Sequence, residues 1–245
     1  MIKELEDYNW FPQMFRKFQM EFIGSMIQWA SIYQPLITLT NATLNENKVS
    51  TIVDLCSGSG LPAIYLQKHL SNNCNTVLSD KFPDKGFVNT SSIIYLKETT
   101  DVLLLEPKPA TCYTMYNALH HFSDNDKVAI INKLRIANAP FIFAEILEPN
   151  LLTLLKIIFT TTVLQLLTTP FVQPFSFLRL FFTYVVPINL FTITYDGVIS
   201  VFKSRTVEQY KNLVVPFSNK NLEITVNKIS SWKSVVIYIK GNPKK

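Results

Sequence analysis

The chain has 245 residues, enough for one α/β core of useful size and for stability without cross-links. At 48% hydrophobic and 17% charged it is too apolar to be disordered, and 6 Gly with 13 Pro exclude collagen-like or Gly/Ser-rich low-complexity sequence. A net charge of +5 permits weak attraction to anionic surfaces, but no basic run forms a nucleic-acid patch. The 3 cysteines, Cys56, Cys74 and Cys112, form no C-x-x-C pair and stand far from any histidine pair at zinc spacing. Neither a disulfide framework nor a metal site is expected, and a reducing compartment fits.

In chain order, Met1 to Tyr8 is charged and lacks the apolar centre of a signal peptide, so a cytoplasmic protein is expected. From Pro12 to Tyr33, Phe15, Phe18, Phe22, Met26, Trp29 and Tyr33 recur in steps of three and four and line one side of a helix, which either packs on the core or lids a ligand. Val49 to Leu55 then reads as a buried strand, a Gly-rich turn follows, and Leu61 to Leu70 reads as a helix. Further strands are predicted at Thr76–Ser79, Ser92–Leu96, Thr111–Met115 and Phe141–Glu145, with a helix over Asp124–Arg135. Such alternation implies a doubly wound, mostly parallel sheet. Leu222–Lys228 and Ser234–Lys240, joined around Ser231, predict a terminal antiparallel hairpin.

Before that hairpin, Leu151 to Tyr195 is unusually apolar, and Ile157 to Leu178 carries no charge. Length alone raises a membrane span. Pro170 and Pro174 interrupt the stretch, and Thr and Gln are scattered through it, so broken helices are expected instead, capping an apolar pocket or touching a bilayer surface. Thr194 to Gly197 reads as a turn leaving this region, and Thr206 to Val214 as the last helix, with Thr206 as its cap.

The strongest chemical signal is Val53-Asp54-Leu55-Cys56-Ser57-Gly58-Ser59-Gly60, where a strand runs into a small-residue turn and then a helix. Glycines let the backbone approach a ligand closely, and the helix amides face it. Gly58-x-Gly60-x-x-Ala63 also matches a dinucleotide fingerprint, which leaves an NAD(P) oxidoreductase as an alternative. Asp80, ending the second strand, is placed to accept ribose hydroxyls under either reading. Asp54 inside the strand-turn unit favours a cationic ligand, because it would repel a pyrophosphate.

These residues resemble the class I, Rossmann-like S-adenosylmethionine-dependent methyltransferases over about residues 49 to 145, with Cys56 standing where the first glycine of the motif usually falls. Trp10-Phe11-Pro12 and Tyr195-Asp196-Gly197-Val198-Ile199-Ser200 further resemble bacterial members without an assigned substrate. The resemblance implies a seven-stranded α/β sheet closed by the antiparallel hairpin, and S-adenosylmethionine as cofactor. It implies Asp54 holding the methionine ammonium through the Gly58–Gly60 loop, Asp80 on the ribose, Phe82, Asp101 and Val102 around adenine, and Ser57 and Asn117 among the cofactor-binding residues. Asp101 reads equally as an ordinary loop cap.

After the fourth strand comes Tyr116 to Phe122, where family members acting on small molecules often carry a similar apolar-His stretch. His120 and His121 are the candidate bases for removing a proton from an acceptor, but nothing in the sequence supplies a partner acid for either ring, and each reads more readily as a helix cap or as packing against the sheet. The family's nucleobase-modifying Asn-Pro-Pro-aromatic pattern is absent.

The expectation is one methyltransferase-like domain: a helical extension over 1–48, a cofactor core over 49–150, an apolar substrate cover over 151–200, and the last helix with the hairpin over 201–245. It would methylate a small, hydrophobic acceptor. A non-catalytic module binding a membrane surface or a protein remains the other alternative, and oligomeric state stays open.

Overall fold

Fifty residues precede the first strand, and they form two helices where the sequence predicts one. A computed structural model describes residues 2–70, 74–218, 221–230 and 235–244. Helix α1 runs Gln13–Trp29 behind Pro12, a turn follows, and α2 runs Leu36–Asn47 behind Pro35. The predicted helix through Tyr33 therefore ends early, at Trp29, and Ser31 just beyond it has φ 53°, outside the range of a right-handed helix.

Strand β1 (Thr51–Leu55) leads into α3 (Leu61–Gln67), β2 (Asn75–Ser79), β3 (Ile93–Tyr95), β4 (Thr111–Tyr116), α4 (Asp124–Ile136) and β5 (Phe141–Glu145). Ser123 and Asp126 form a reciprocal capping box that starts α4, and Lys133 and Arg135 complement the dipole in its last turn. The seven strands are ordered β3-β2-β1-β4-β5-β7-β6, with β6 spanning Leu222–Ser230 and β7 Val235–Pro243. All pairings are parallel except β5·β7 and β6·β7. The hairpin is thus present as strands, while its predicted connection around Ser231 lies outside the described residues.

Central strands β4 and β5 are buried along their whole length, as expected of parallel strands covered on both faces. Side chains alternate between two cores. Tyr113, Met115, Phe141 and Phe143 meet α4 and α9 (Val207–Val214) through Ile130, Leu134 and Tyr210. Tyr116 and Ala144 on the other face meet Ile27, Leu36, Ala63 and Leu66. The predicted Thr206 cap is confirmed, paired reciprocally with Gln209.

Between β5 and α9 lies a helical layer. A continuous rod covers Leu151–Phe171, composed of α5 (Leu151–Phe159), a wider turn over Thr160–Leu164, α6 (Gln165–Thr168) and a final tight turn. Helices α7 (Phe177–Tyr184) and α8 (Ile188–Lys203) follow, bent by 79°. The predicted turn at Thr194 to Gly197 is incorrect: these residues lie inside α8. Gly197 is there for packing, since a Cβ would come within 2.7 Å of Ile157 Cγ2, and Thr194 Oγ1 donates to the Thr161 carbonyl at 3.2 Å. The layer consequently ends at Lys203, just past the predicted boundary at 200.

Candidate functional site

Every residue singled out for chemistry sits at or near the carboxyl end of the parallel strands, the edge where open α/β sheets hold ligands. The β1–α3 turn is made by three left-handed residues at alternate positions: Cys56 at φ 54°, Gly58 at 55° and Gly60 at 72°. Cys56 thus takes the conformation a glycine would supply, at a cost of about 1 kcal/mol. At Gly60 a Cβ would press within 2.6 Å of Leu78 Cδ1. Helix α1 closes over the turn, with Gly24 packed against Leu61 and Ser59 and Met20 lying over Gly58.

Asp54 is buried, and its carboxylate accepts from Thr114 Oγ1 at 2.7 Å. Burial pushes its pKa up to about 7, against the hydrogen bonds that favour its charged form. Ser57 Oγ donates to the Asp54 carbonyl and accepts from the Ser79 amide, locking the turn to β2. Asp80 accepts from the Gly58 amide through Oδ2 and from the Phe82 amide through Oδ1, both at 2.8 Å. The amide that would grip a phosphate is therefore already taken by a carboxylate. Phe82 carries the Arg16 guanidinium stacked 3.8 Å from its ring centre, with Lys81 Nζ 5.9 Å from the same centre. Asp101 caps the turn over Val102–Leu104 by accepting from the Leu103 amide at 2.9 Å, and Val102 is buried in the core; the cap reading accounts for that pair. Asn117 has φ 53°, and its Oδ1 is buried without a hydrogen-bond partner among the described residues.

The missing acids of the histidine pair come from far away in the chain. Glu145, at the end of β5, accepts from the Leu119 amide at 2.6 Å and holds His120 Nδ1 at 2.8 Å. His120 is fully buried. Asp7 holds His121 Nδ1 at 3.0 Å. His120 Nε2 lies 4.0 Å from Glu4 Oε1, and His121 Nε2 lies 3.6 Å from both Glu4 Oε2 and Glu6 Oε1. Burial opposes charge on His121, but Glu4, Asp7 and Glu6 outweigh it and push its pKa up to about 10. Burial raises Glu6 to about 8, despite His121 beside it. Asp7 also suffers burial, yet its bond to His121 brings it down to about 2.

Helix α8 completes the cluster. Lys203 Nζ donates to Glu4 Oε1 at 2.9 Å and reaches Asp7 Oδ2 at 3.4 Å, while Ser200 Oγ donates to Glu4 Oε2 at 2.8 Å. Asp196 accepts from the Leu5 and Glu6 amides and from Gln19 Nε2. Arg16 links this cluster to the cofactor residues, bonding the Glu6 and Tyr8 carbonyls while stacking on Phe82. Glu4, His120 and His121 bring ligand atoms within 4.8 Å of one another, and the Lys203 ammonium already neutralises the Glu4 carboxylate of that set. Glu4, Glu6, Asp7, Arg16, Glu145, Asp196, Ser200 and Lys203 were not singled out for this site from the sequence.

Comparison with solved structures gives 12% identity and a TM-score of 0.52 to human N-acetylserotonin methyltransferase bound to S-adenosylmethionine, over 91% of this chain and 56% of that one. The chain has the class I methyltransferase fold. The mitomycin 7-O-methyltransferase MmcR is 13% identical with a TM-score of 0.49, over 87% of this chain and 55% of its own. An O-methyltransferase family protein from Burkholderia thailandensis is 10% identical with a TM-score of 0.48, over 91% and 59%. The chain thus spans a little over half the length of these methyltransferase structures. No family model matches its sequence, and no curated protein matches it.

Proposed function

We propose that this chain is a cytoplasmic S-adenosylmethionine-dependent methyltransferase acting on a small, hydrophobic acceptor. The observation that carries the reading is Asp80 bonded to the Gly58 amide. A dinucleotide pyrophosphate would lose its amide donor and meet a carboxylate, which removes support for the oxidoreductase alternative. Ribose hydroxyls instead find free lone pairs on Asp80, a cationic donor finds Asp54 and Asp80, and the orphaned Asn117 oxygen awaits a hydrogen-bond donor. Three free cysteines suit a reducing cytoplasm.

When bound, the cofactor supplies an electrophilic methyl whose carbon–sulfur bonding pair leaves with sulfur as the acceptor attacks. The chain's part is alignment and proton removal. His121, paired with three acids, is held as an imidazolium and serves as a positioning residue. His120 is the proposed base: with an ionised Glu145 accepting from Nδ1, Nε2 is left to take the proton of a hydroxyl acceptor that comes between it and Glu4 Oε1, 4.0 Å away. Phe15 on α1 and Phe182 on α7, packed edge-on at 5.0 Å, join the first helix to the proposed apolar cover.

Titration calorimetry is expected to register S-adenosylmethionine or S-adenosylhomocysteine and to give no heat with NAD(H) or NADP(H). Asp80→Ala is expected to weaken binding by about 1.5 to 3 kcal/mol, the scale of hydrogen bonds to a charged group. Dinucleotide binding without an adenosylmethionine signal would overturn the proposal. His120→Asn is expected to keep cofactor affinity and lose turnover at least a hundredfold once an acceptor is in hand.

A further inference from the structure

The helical layer over 151–203 is built inside out. Of 28 large apolar side chains exposed among the described residues, 19 fall between Leu151 and Phe202. The buried positions of the same layer are mostly polar: Thr161, Gln165 and Thr169 on the rod, Arg179 and Thr183 on α7, and Asn189 with the site residues on α8. Val172, Ile193 and Val201 are the buried apolar residues there. A helix facing water shows the reverse arrangement, apolar inward and polar outward. Polar groups that bond one another inside a helical layer while Leu, Ile and Phe face outward are the arrangement of helices set in hydrocarbon. Here Asn189 Nδ2 donates to Thr183 Oγ1 at 3.1 Å, and Arg179 pairs with Glu21 at 2.5 Å.

We infer that the outer face of residues 151–202 seats the protein on a lipid bilayer, with the rod lying along the surface of one leaflet. The dimensions fit lipid. The rod has 21 residues, mean hydropathy 1.8 and only 11% of its apolar window buried. At 1.5 Å per residue it presents about 30 Å of apolar edge. Ile157 to Leu178 offers no charge, whereas even a protein–protein interface carries a polar rim and about one hydrogen bond per 100–200 Å². The net charge of +5 adds attraction to anionic headgroups. A crossing helix would meet lipid all round; the rod instead keeps its polar stripe against the domain, with Thr194 bonded to Thr161 and Gly197 fitted to Ile157. Immersion is therefore one-sided. Seating is independent of which cofactor the domain binds.

The test is flotation of the whole chain with vesicles of phosphatidylcholine containing a quarter phosphatidylglycerol. The expected result is co-flotation that persists in half-molar salt, because apolar burial is not screened. Release by alkaline carbonate is also expected. Leu167→Asp, Phe177→Asp and Phe191→Asp together are expected to cut the floating fraction at least tenfold while leaving the far-ultraviolet dichroism and cofactor binding unchanged. Should that variant misfold, Phe177→Trp replaces it: brominated lipid must quench the added emission. A chain that stays in the soluble fraction overturns the inference, and so does a monomer–dimer equilibrium abolished by the triple variant without any vesicle binding, which would assign the face to a second copy. Resistance to carbonate overturns the one-sided placement.

Discussion

At the scale of single residues, the site is governed by charge held out of water, and its response to pH follows. His121 has a raised pKa, so the stability it contributes is complete below about 6.5 and is lost as pH rises toward about 10. Asp7 is lowered, so its share is present above about 3.8 and lost as pH falls toward about 2. Glu6, raised to about 8, adds a cost that grows from about pH 4.5 to about 8 and is then constant, with Glu4, Asp196, Lys203 and His120 packed around the pair. The melting temperature is expected to fall from pH 7 to 10, with a flatter profile for His121→Asn; parallel profiles would refute the pairing. Asp54, raised to about 7, behaves differently. Its ionisation costs stability as pH rises through 7, and a cationic donor bound near it restores the charged form. S-adenosylmethionine is therefore expected to bind more tightly at pH 8 than at pH 6, and calorimetry on Asp54→Asn is expected to show no such trend. Asp54, Asp80 and the two glycines are legible in the sequence because a strand–turn–helix pattern confines them to neighbouring positions. The acids that orient the histidines are not, because 114 residues separate His121 from Asp7 and 25 separate His120 from Glu145.

At the scale of elements, strands were legible from short apolar runs between turn residues, and all seven occur near their predicted positions. Helix α2 was missed because its Thr- and Asn-rich sequence carries little amphipathic rhythm. Asp196 and Gly197 misled for a related reason: Asp-Gly usually makes turns, but here the Asp side chain anchors Leu5 and Glu6 and the missing Cβ lets α5 cross α8. Tertiary fit overrides local preference. Gly197→Ala is accordingly expected to destabilise by about 1–3 kcal/mol in urea denaturation, the scale of overpacking a filled contact, and Ile157→Ala in the same chain to recover part of the loss. Additive losses would show that the two residues do not share that contact.

For the molecule as a whole, composition disclosed an apolar region but not which way it faces. Thr161, Gln165 and Thr169 recur every fourth residue, a polar stripe legible in the sequence once those residues are taken as the inward side of a helix. Reading them as scattered hid the inversion of the layer. The sheet order has a further consequence, for biosynthesis. Strand β7 follows β6 in the sequence yet lies between β5 and β6, so a nascent chain holds β5 as a raw edge until β7 has been synthesised. The greasy rod leaves the ribosome well before that edge is sealed. A growing polypeptide thus presents its oily segment while the neighbouring sheet is still open, the condition under which apolar surface and unpaired strand edges are most prone to aggregate.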